Sequence, residues 1–395
     1  MNQVAPFHPS RVFAQPDMTL PRVMVSPARY IQGPGVLAKT GSYVALMDAK
    51  CYGILASTRS QQGETSQVID SLKSSGYETV TATFGGECSL EEIDQQVANL
   101  SSQGVDALVA VGGGKCVDAG KCIAQRLGVP IVVIPSLASN DAPTSAVAVL
   151  YSTEGVFTGA EFFPQNPALV IVDTEIIADS SPRYLAAGIG DAMATWYEAR
   201  VCINNPNGRS TVGARPTLAA TAISEICART LMSEGAEALD AVRKSEITPA
   251  LENVVEANTL LSGIGFESGG LAIAHAVANN LTMIPRVHDN YLHGEMVALG
   301  TMIQLAMEDQ KEADEVGRFF AEVGLPMCLS QVSLAADDAE IDPLLDQVLR
   351  NPSVLNMPFE VTREGLTKAF SDMDELGNAI VSELGDAPYQ ALHQS

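Results

Sequence analysis

Positive charge is scarce in this chain. Its 395 residues hold 23 Lys and Arg against 47 Asp and Glu, a formal net charge of -24. Such a balance repels phosphate backbones and anionic lipid, which argues against nucleic-acid and membrane partners. An anionic ligand must then be held by local backbone amides rather than by a general field. Histidine is rare, with five residues, and tryptophan occurs once. The seven cysteines, at 51, 88, 116, 122, 202, 227 and 328, include no CxxC pair. An odd count without that spacing gives no support to a zinc ribbon or a disulfide framework, and fits reduced thiols. No apolar run reaches the ~18 residues of a membrane span. The opening stretch MNQVAPFHPSRVFAQPDMTL lacks the apolar core of a secretory signal. These absences predict a cytoplasmic protein, with residues 1–24 a flexible arm before the folded body.

What is present is apolar: 46% of residues are hydrophobic and 18% charged, enough for large buried cores and too little charge for a disordered chain. The length predicts two domains of ~150 to 200 residues. Short apolar runs alternate with helical patterns in the first half. Tyr43–Asp48 (YVALMD), 77–84 (YETVTATF), the run VDALVAVGGGK, VPIVVIPS and PALVIVDTEII read as strands. Between them, Ser89 begins a helix as N-cap, with Glu92 set to complete a capping box. Continuous apolar strands alternating with helices require a parallel sheet covered on both faces. Near Pro182 the pattern changes to Ala, Leu, Glu and Met at helical spacing. The expectation is an α/β dinucleotide-binding domain with a parallel sheet over residues 25–182, and an all-α domain over 183–395.

The stretch VAVGGGKCVDAGK ends a strand and starts a helix. Its glycines allow a tight turn and close approach, and the helix N-terminus offers unpaired N–H groups to a phosphate. Neither the G-x-G-x-x-G nor the Walker A spacing is met, so the loop alone is equally a ligand cradle and a plain turn. Asp48, read at the carboxyl end of a strand, would accept hydrogen bonds from both ribose hydroxyls and favour NAD over NADP. It also serves as an ordinary helix-capping acid. Asp141, in the small polar loop SNDAPTS, either closes an Asx-turn before Pro143 or orients a polyol.

Three of the five histidines fall in GGLAIAHAVANNLTMIPRVHDNYLHGE. His275 sits in an Ala-rich helical segment and His293 opens another. Asp191 follows a glycine pair in AGIGDAMATWYEA. Two imidazoles and a carboxylate make a three-ligand zinc site with one open position, the mark of catalysis rather than structure. Each histidine is equally readable as a satisfied core residue. His288 lies in a Pro-flanked segment and reads as a surface or rim residue.

Taken together, GGGK, SNDAPTS, FFPQNPALVIVDTEII, GIGDAMATWYEA, TPALENVVEANTLLSGIGFESGGLAIAHA and HGEMVALG resemble the glycerol dehydrogenase branch of the iron-containing (group III) alcohol dehydrogenase superfamily. The resemblance runs from about residue 25 to about residue 310. It implies NAD-dependent, reversible oxidation of glycerol to dihydroxyacetone in a cleft between an α/β and a helical domain, in a homo-oligomer of eight chains. It implies zinc on Asp191, His275 and His293. Asp48 matches the ribose acid, Gly113, Gly114, Lys115 and Asp118 the pyrophosphate loop, and Ser145, Val147 and Tyr151 the nicotinamide side, with Ser136 as a further cofactor contact. Asp141 matches the residue that contacts the polyol, with Phe266 as apolar wall and His275 facing substrate as well as metal. Iron-dependent relatives carry a further His where this chain has Thr195, which favours zinc. Another vicinal diol such as 1,2-propanediol is the alternative substrate. A dehydroquinate synthase-like lyase would need a cationic cluster for its substrate, and a nucleotide-binding protein without catalysis would need no open metal position.

Overall fold

The computed structural model describes residues 7–16 and 19–393. Six strands form one parallel sheet: β1 (Tyr30–Gly33), β2 (Cys51–Ser57), β3 (Glu78–Phe84), β4 (Ala107–Gly112), β5 (Ile131–Pro135) and β8 (Leu169–Asp173), in the order β1-β8-β5-β4-β2-β3. Two further strands, β6 (Val147–Tyr151) and β7 (Phe157–Phe162), make an antiparallel hairpin. β4 is buried along its whole length. Its Leu108 and Ala110 join one core, and Val109 and Val111 the other. A strand with both faces covered has no polar side to present, so its sequence is a continuous apolar run.

Connections leaving β2 and β4 run in opposite directions across the sheet, because β3 lies outside β2 while β5 lies on the far side of β4. The carboxyl ends of β2 and β4 therefore flank a topological switch point, where open α/β sheets bind ligands. Helix 64–74 covers one face. Helices 90–101 and 114–127 cover the other, whose core runs on without a break into the helical half.

Two expectations need correction. Tyr43–Asp48 is not a strand: residues 40–46 are helical, with Val44 buried and Leu46 exposed. Of the apolar run Val44, Ala45 and Leu46 only Val44 turns inward, which suits a short surface helix and not a buried strand. The true second strand follows it as CYGILAS. The capping box at Ser89 is half made. Ser89 Oγ accepts from Glu92 N at 3.2 Å, but the Glu92 carboxylate turns to Gly85 N and Gln96 Nε2.

From Pro182 onward the described chain is helical, with the long helix Pro182–Asn204 packed on both Leu218–Arg243 and His293–Glu308. The segment Pro249–Gly269 carries a π-turn at Ala257–Leu261. Such turns unseat backbone groups from the helical ladder. The Thr259 carbonyl here accepts from Thr144 Oγ1 at 2.9 Å, tying the two halves together. No single described helix is long and apolar enough to cross a membrane. In the N-terminal segment, the short helix Ser10–Phe13 lies against Gly213, the His8 ring is 4.3 Å from that of Phe162, and Val25 pairs with Ser268.

Candidate active site

Backbone contacts through glycine bring the site together. Helix 182–204 starts with Ser181 as N-cap and Pro182 in its first turn. A Cβ on Gly188 would lie 2.0 Å from the Ala138 carbonyl oxygen, and one on Gly190 would lie 2.4 Å from that of Gly294. Gly294 in turn meets the Ala187 carbonyl, where a Cβ would be 1.7 Å away. Only bare backbone permits this approach. It sets Asp191 beneath the loop after β5 and beside His293.

Asp191, His275 and His293 converge. Their ligand atoms all lie within 4.8 Å of one another. Asp191 Oδ1 is 3.5 Å from His275 Nε2 and 3.4 Å from His293 Nε2. Asp191 is buried, and its Oδ1 has no hydrogen-bond partner. A buried carboxylate oxygen without a donor is costly. The surrounding atoms supply two imidazole nitrogens aimed at the same point, so the three residues fit a divalent cation of the zinc type. His293 is 38% exposed at its side chain and faces the cleft, which leaves one side of the cluster open.

The electrostatics follow this arrangement. Burial works against a charged His275 ring, but Glu198 and Asp191 outweigh it and raise the ring's proton affinity well above the ordinary value. His293 is pushed down by burial and by the neighbouring His275, against the pull of Asp191. Burial opposes ionisation of Asp191, yet His293 and His275 hold its carboxyl below the usual range. Asp141 is raised, first by burial and then by the Asp191 carboxylate beside it.

Asp141 approaches from the sheet side. Its N–H donates to Asp191 Oδ2 at 3.3 Å, and its own Oδ2 accepts from Ser262 Oγ at 2.8 Å. The Asx contact in this loop belongs to Asn140, whose Oδ1 accepts from Ala142 N. The Asp141 carboxylate thus lines a cleft of about 470 Å³ with Gly114, Lys115, Asp118, Tyr151, His288 and His293. Gly113 is the N-cap of helix 114–127, and Gly114 packs where a Cβ would meet Asn140. Ser136, just past β5, donates its N–H to the carbonyl of Gly112, the last residue of β4. Lys115 pairs with Glu87 at 2.5 Å and lies over the Tyr151 ring.

Three expected site residues sit differently. Asp48 is exposed, in the bend before β2, at the opposite end of the strand from the glycine loop. Misreading the strand put it at the wrong edge of the sheet. Phe266 is buried in the helical half and does not line the cleft; its carbonyl accepts from Thr211. Asp118 does line it, but its carboxylate is spent on Lys121 at 3.1 Å and Val149 N at 2.9 Å. Ser145 and Val147 share that network, because Lys121 Nζ also donates to Ser145 Oγ and to the carbonyls of Ala142 and Val147.

Residues 27–174 match the iron-containing alcohol dehydrogenase family. Over 367 residues the chain is 41% identical to a glycerol dehydrogenase of Escherichia coli, covering 92% of this chain and 99% of that protein. The chain belongs to the iron-containing alcohol dehydrogenase family. It is an alcohol-dehydrogenase-type oxidoreductase. It is also 36% identical to a glycolaldehyde reductase of Halobacterium salinarum, over 91% of this chain and 98% of that protein. The fold superposes on the crystal structure of glycerol dehydrogenase from Schizosaccharomyces pombe with a TM-score of 0.87 at 33% identity, covering 93% and 94% of the two chains.

Within this iron-containing alcohol dehydrogenase family member, two supporting residues escaped sequence reasoning. Glu198 is fully buried and accepts from His275 Nδ1 at 2.6 Å, His275 N at 3.0 Å and Ala272 N at 2.7 Å. It lies at i+7 from Asp191, on the same helix face, and that spacing was available as a signal. Lys121, which anchors the loop of Ala142, Ser145 and Val147, carried no such signal. Thr195 is buried and its hydroxyl meets Ser262 Oγ at 2.9 Å, so it extends the Asp141 hydrogen-bond chain.

Proposed function

We propose that this chain oxidises glycerol reversibly to dihydroxyacetone, passing hydride to a nicotinamide dinucleotide, with zinc on Asp191, His275 and His293. The carrying observation is the partnerless Asp191 Oδ1 facing two imidazole nitrogens, open toward a cleft that also receives the glycine loop. A cation held there would supply Lewis-acid stabilisation of a developing alkoxide. Glu198 holds the His275 proton at Nδ1 and so keeps the Nε2 lone pair free. Asp141 accepts from a substrate hydroxyl through the carboxylate oxygen that Ser262 leaves free, which fixes the carbon–hydrogen bond toward the dinucleotide. The glycine loop and the N-terminus of helix 114–127 hold pyrophosphate with backbone N–H groups. Gly113, Gly114 and Lys115 serve there, while Asp118, Ser136, Ser145, Val147 and Tyr151 shape the nicotinamide side.

Support comes also from what the cleft does not offer. A phosphorylated substrate needs free cations. Arg286, near His288, is held by Asp338 and Glu340 at 2.6 Å each, and Arg183 by Glu295. An uncharged polyol suits this lining. A cytoplasmic homo-oligomer of eight chains completes the reading and is measured by analytical ultracentrifugation. The deciding assay follows nicotinamide absorbance with glycerol, zinc and dinucleotide, with and without a chelator. Chelator-sensitive reduction is expected; turnover indifferent to the chelator would remove the metal from the reading, and no turnover would remove the reaction.

A further inference from the structure

With Asp48 placed at the far edge of the sheet, the carboxyl end of β2 has to be read afresh. β2 and β4 pair in parallel, with Ala56 opposite Val111, so Ser57 stands level with the start of the glycine loop. This is the side of the switch point where the adenosine ribose lies if the pyrophosphate rests on that loop. The residues there are Ser57, Thr58 and Arg59, and the next carboxylate in the chain is Glu64.

An acid at this position accepts from both ribose hydroxyls and repels a 2′-phosphate. Here the strand ends in hydroxyl side chains followed by a guanidinium. Ser57 Oγ and Ser60 N hold a tight turn at 3.2 Å, with Ser60 Oγ donating back to the Ser57 carbonyl. Thr58 and Arg59 are exposed on that turn. Arg59 forms no ion pair among the described residues, whereas Lys115, the cation of the glycine loop itself, is held by Glu87. The acids of the adjacent loop are engaged elsewhere: Glu87 with Lys115, and Glu92 with Gly85 N and Gln96. In a chain of net charge -24, an unpaired arginine on this turn is the feature a 2′-phosphate requires.

We propose that this chain prefers the 2′-phosphorylated dinucleotide, NADP(H), and that Ser57, Thr58 and Arg59 set the preference. The proposal rests on the glycine loop being the dinucleotide site. Isothermal titration of the zinc-loaded full chain with NADP+, NAD+ and 2′,5′-ADP tests it without turnover. Tighter binding of NADP+ than NAD+ is expected, by on the order of 10- to 100-fold, the worth of a charge-assisted contact. Arg59→Ala, an exposed position, should remove most of that difference and leave NAD+ affinity unchanged. Ser57→Asp should reverse the order, and 2′,5′-ADP should compete with NADP+. Binding of NAD+ as tight as or tighter than NADP+, or an Arg59→Ala loss shared equally by both, overturns the proposal and leaves the dinucleotide site standing. Binding of neither dinucleotide overturns the site and the proposal together.

Discussion

Replacing Glu198 by Gln changes one oxygen for one NH2 group and tests how His275 is prepared for a cation. In the native arrangement Oε1 accepts from Ala272 N and His275 N, and Oε2 faces His275 Nδ1 at 2.6 Å. All three contacts need an acceptor, and Gln has a single acceptor atom. If its oxygen stays with the two backbone N–H groups, the NH2 faces Nδ1, which must then accept. The ring proton moves to Nε2, the nitrogen that lies 3.5 Å from Asp191 Oδ1, and the lone pair for a metal is lost. If the oxygen goes to Nδ1 instead, two buried N–H groups face a donor, at about 1–3 kcal/mol each. The first outcome weakens zinc binding by about 10- to 100-fold, or roughly 1.4–2.7 kcal/mol. The second appears as lost stability. Zinc affinity is measured by competition with a chromophoric chelator, and stability by urea unfolding of the same samples. A Glu198→Gln protein with native zinc affinity and a native unfolding midpoint would refute the tautomer argument.

Other perturbations read other parts of the structure. Gly294→Ala puts a methyl group 1.7 Å from the Ala187 carbonyl oxygen, so the two helices must part; destabilisation of about 3 kcal/mol or more is expected, seen as a fall in Tm, and a wild-type Tm would disprove the packing account. Lys121→Met leaves the buried Asp118 carboxylate without its cation and takes the Nζ donor away from three loop acceptors, an expected loss of ~3–5 kcal/mol in denaturant unfolding that Asp118→Asn should partly restore. Burial pushes the Glu267 carboxyl from 4.5 up to about 7, against the pull of Ala146 N and Asn166. Between those values the folded state holds more protons than the unfolded one, so stability falls as pH rises through that window, by about 3 kcal/mol, and levels off above it. Glu267→Gln should flatten the dependence; an unchanged slope would show that other groups cause it.

Much of the site was readable because its chemistry sits in distinctive side chains. Asp191, His275 and His293 stand out in a chain with five histidines, and the all-buried strands around the glycine loop mark a parallel sheet. Asp48 failed for a physical reason. Val44, Ala45 and Leu46 look like a strand by composition, but only Val44 is turned inward. The real strand, CYGILAS, is rich in small residues that carry little β signal. Its Gly53 is small because Leu108 Cδ1 and Val105 Cγ1 crowd the place of a Cβ at 3.1 Å, and that crowding exists only after the sheet has formed. The hairpin of β6 and β7 lies between the SNDAPTS loop and the run PALVIVDTEII, in a stretch to which no element was assigned. Glu198 could have been found from its helical spacing; Lys121 depends on a loop whose path no local pattern reports.

All three residues that converge on the proposed cation leave from the helical half, and the glycine loop leaves from the sheet half. On the proposed reading, a dinucleotide leaving the glycine loop takes none of the ion's three ligands with it, and the one direct tie from the sheet half to those ligands, among the described residues, is the Asp141 N–H on Asp191 Oδ2. Nucleotide residence and metal residence become separate clocks, the first fast enough for turnover and the second as slow as the helical core is rigid. Pulse-labelling with isotopic zinc during steady-state turnover would read the slow clock directly; label exchange keeping pace with catalysis would show that the two halves share one.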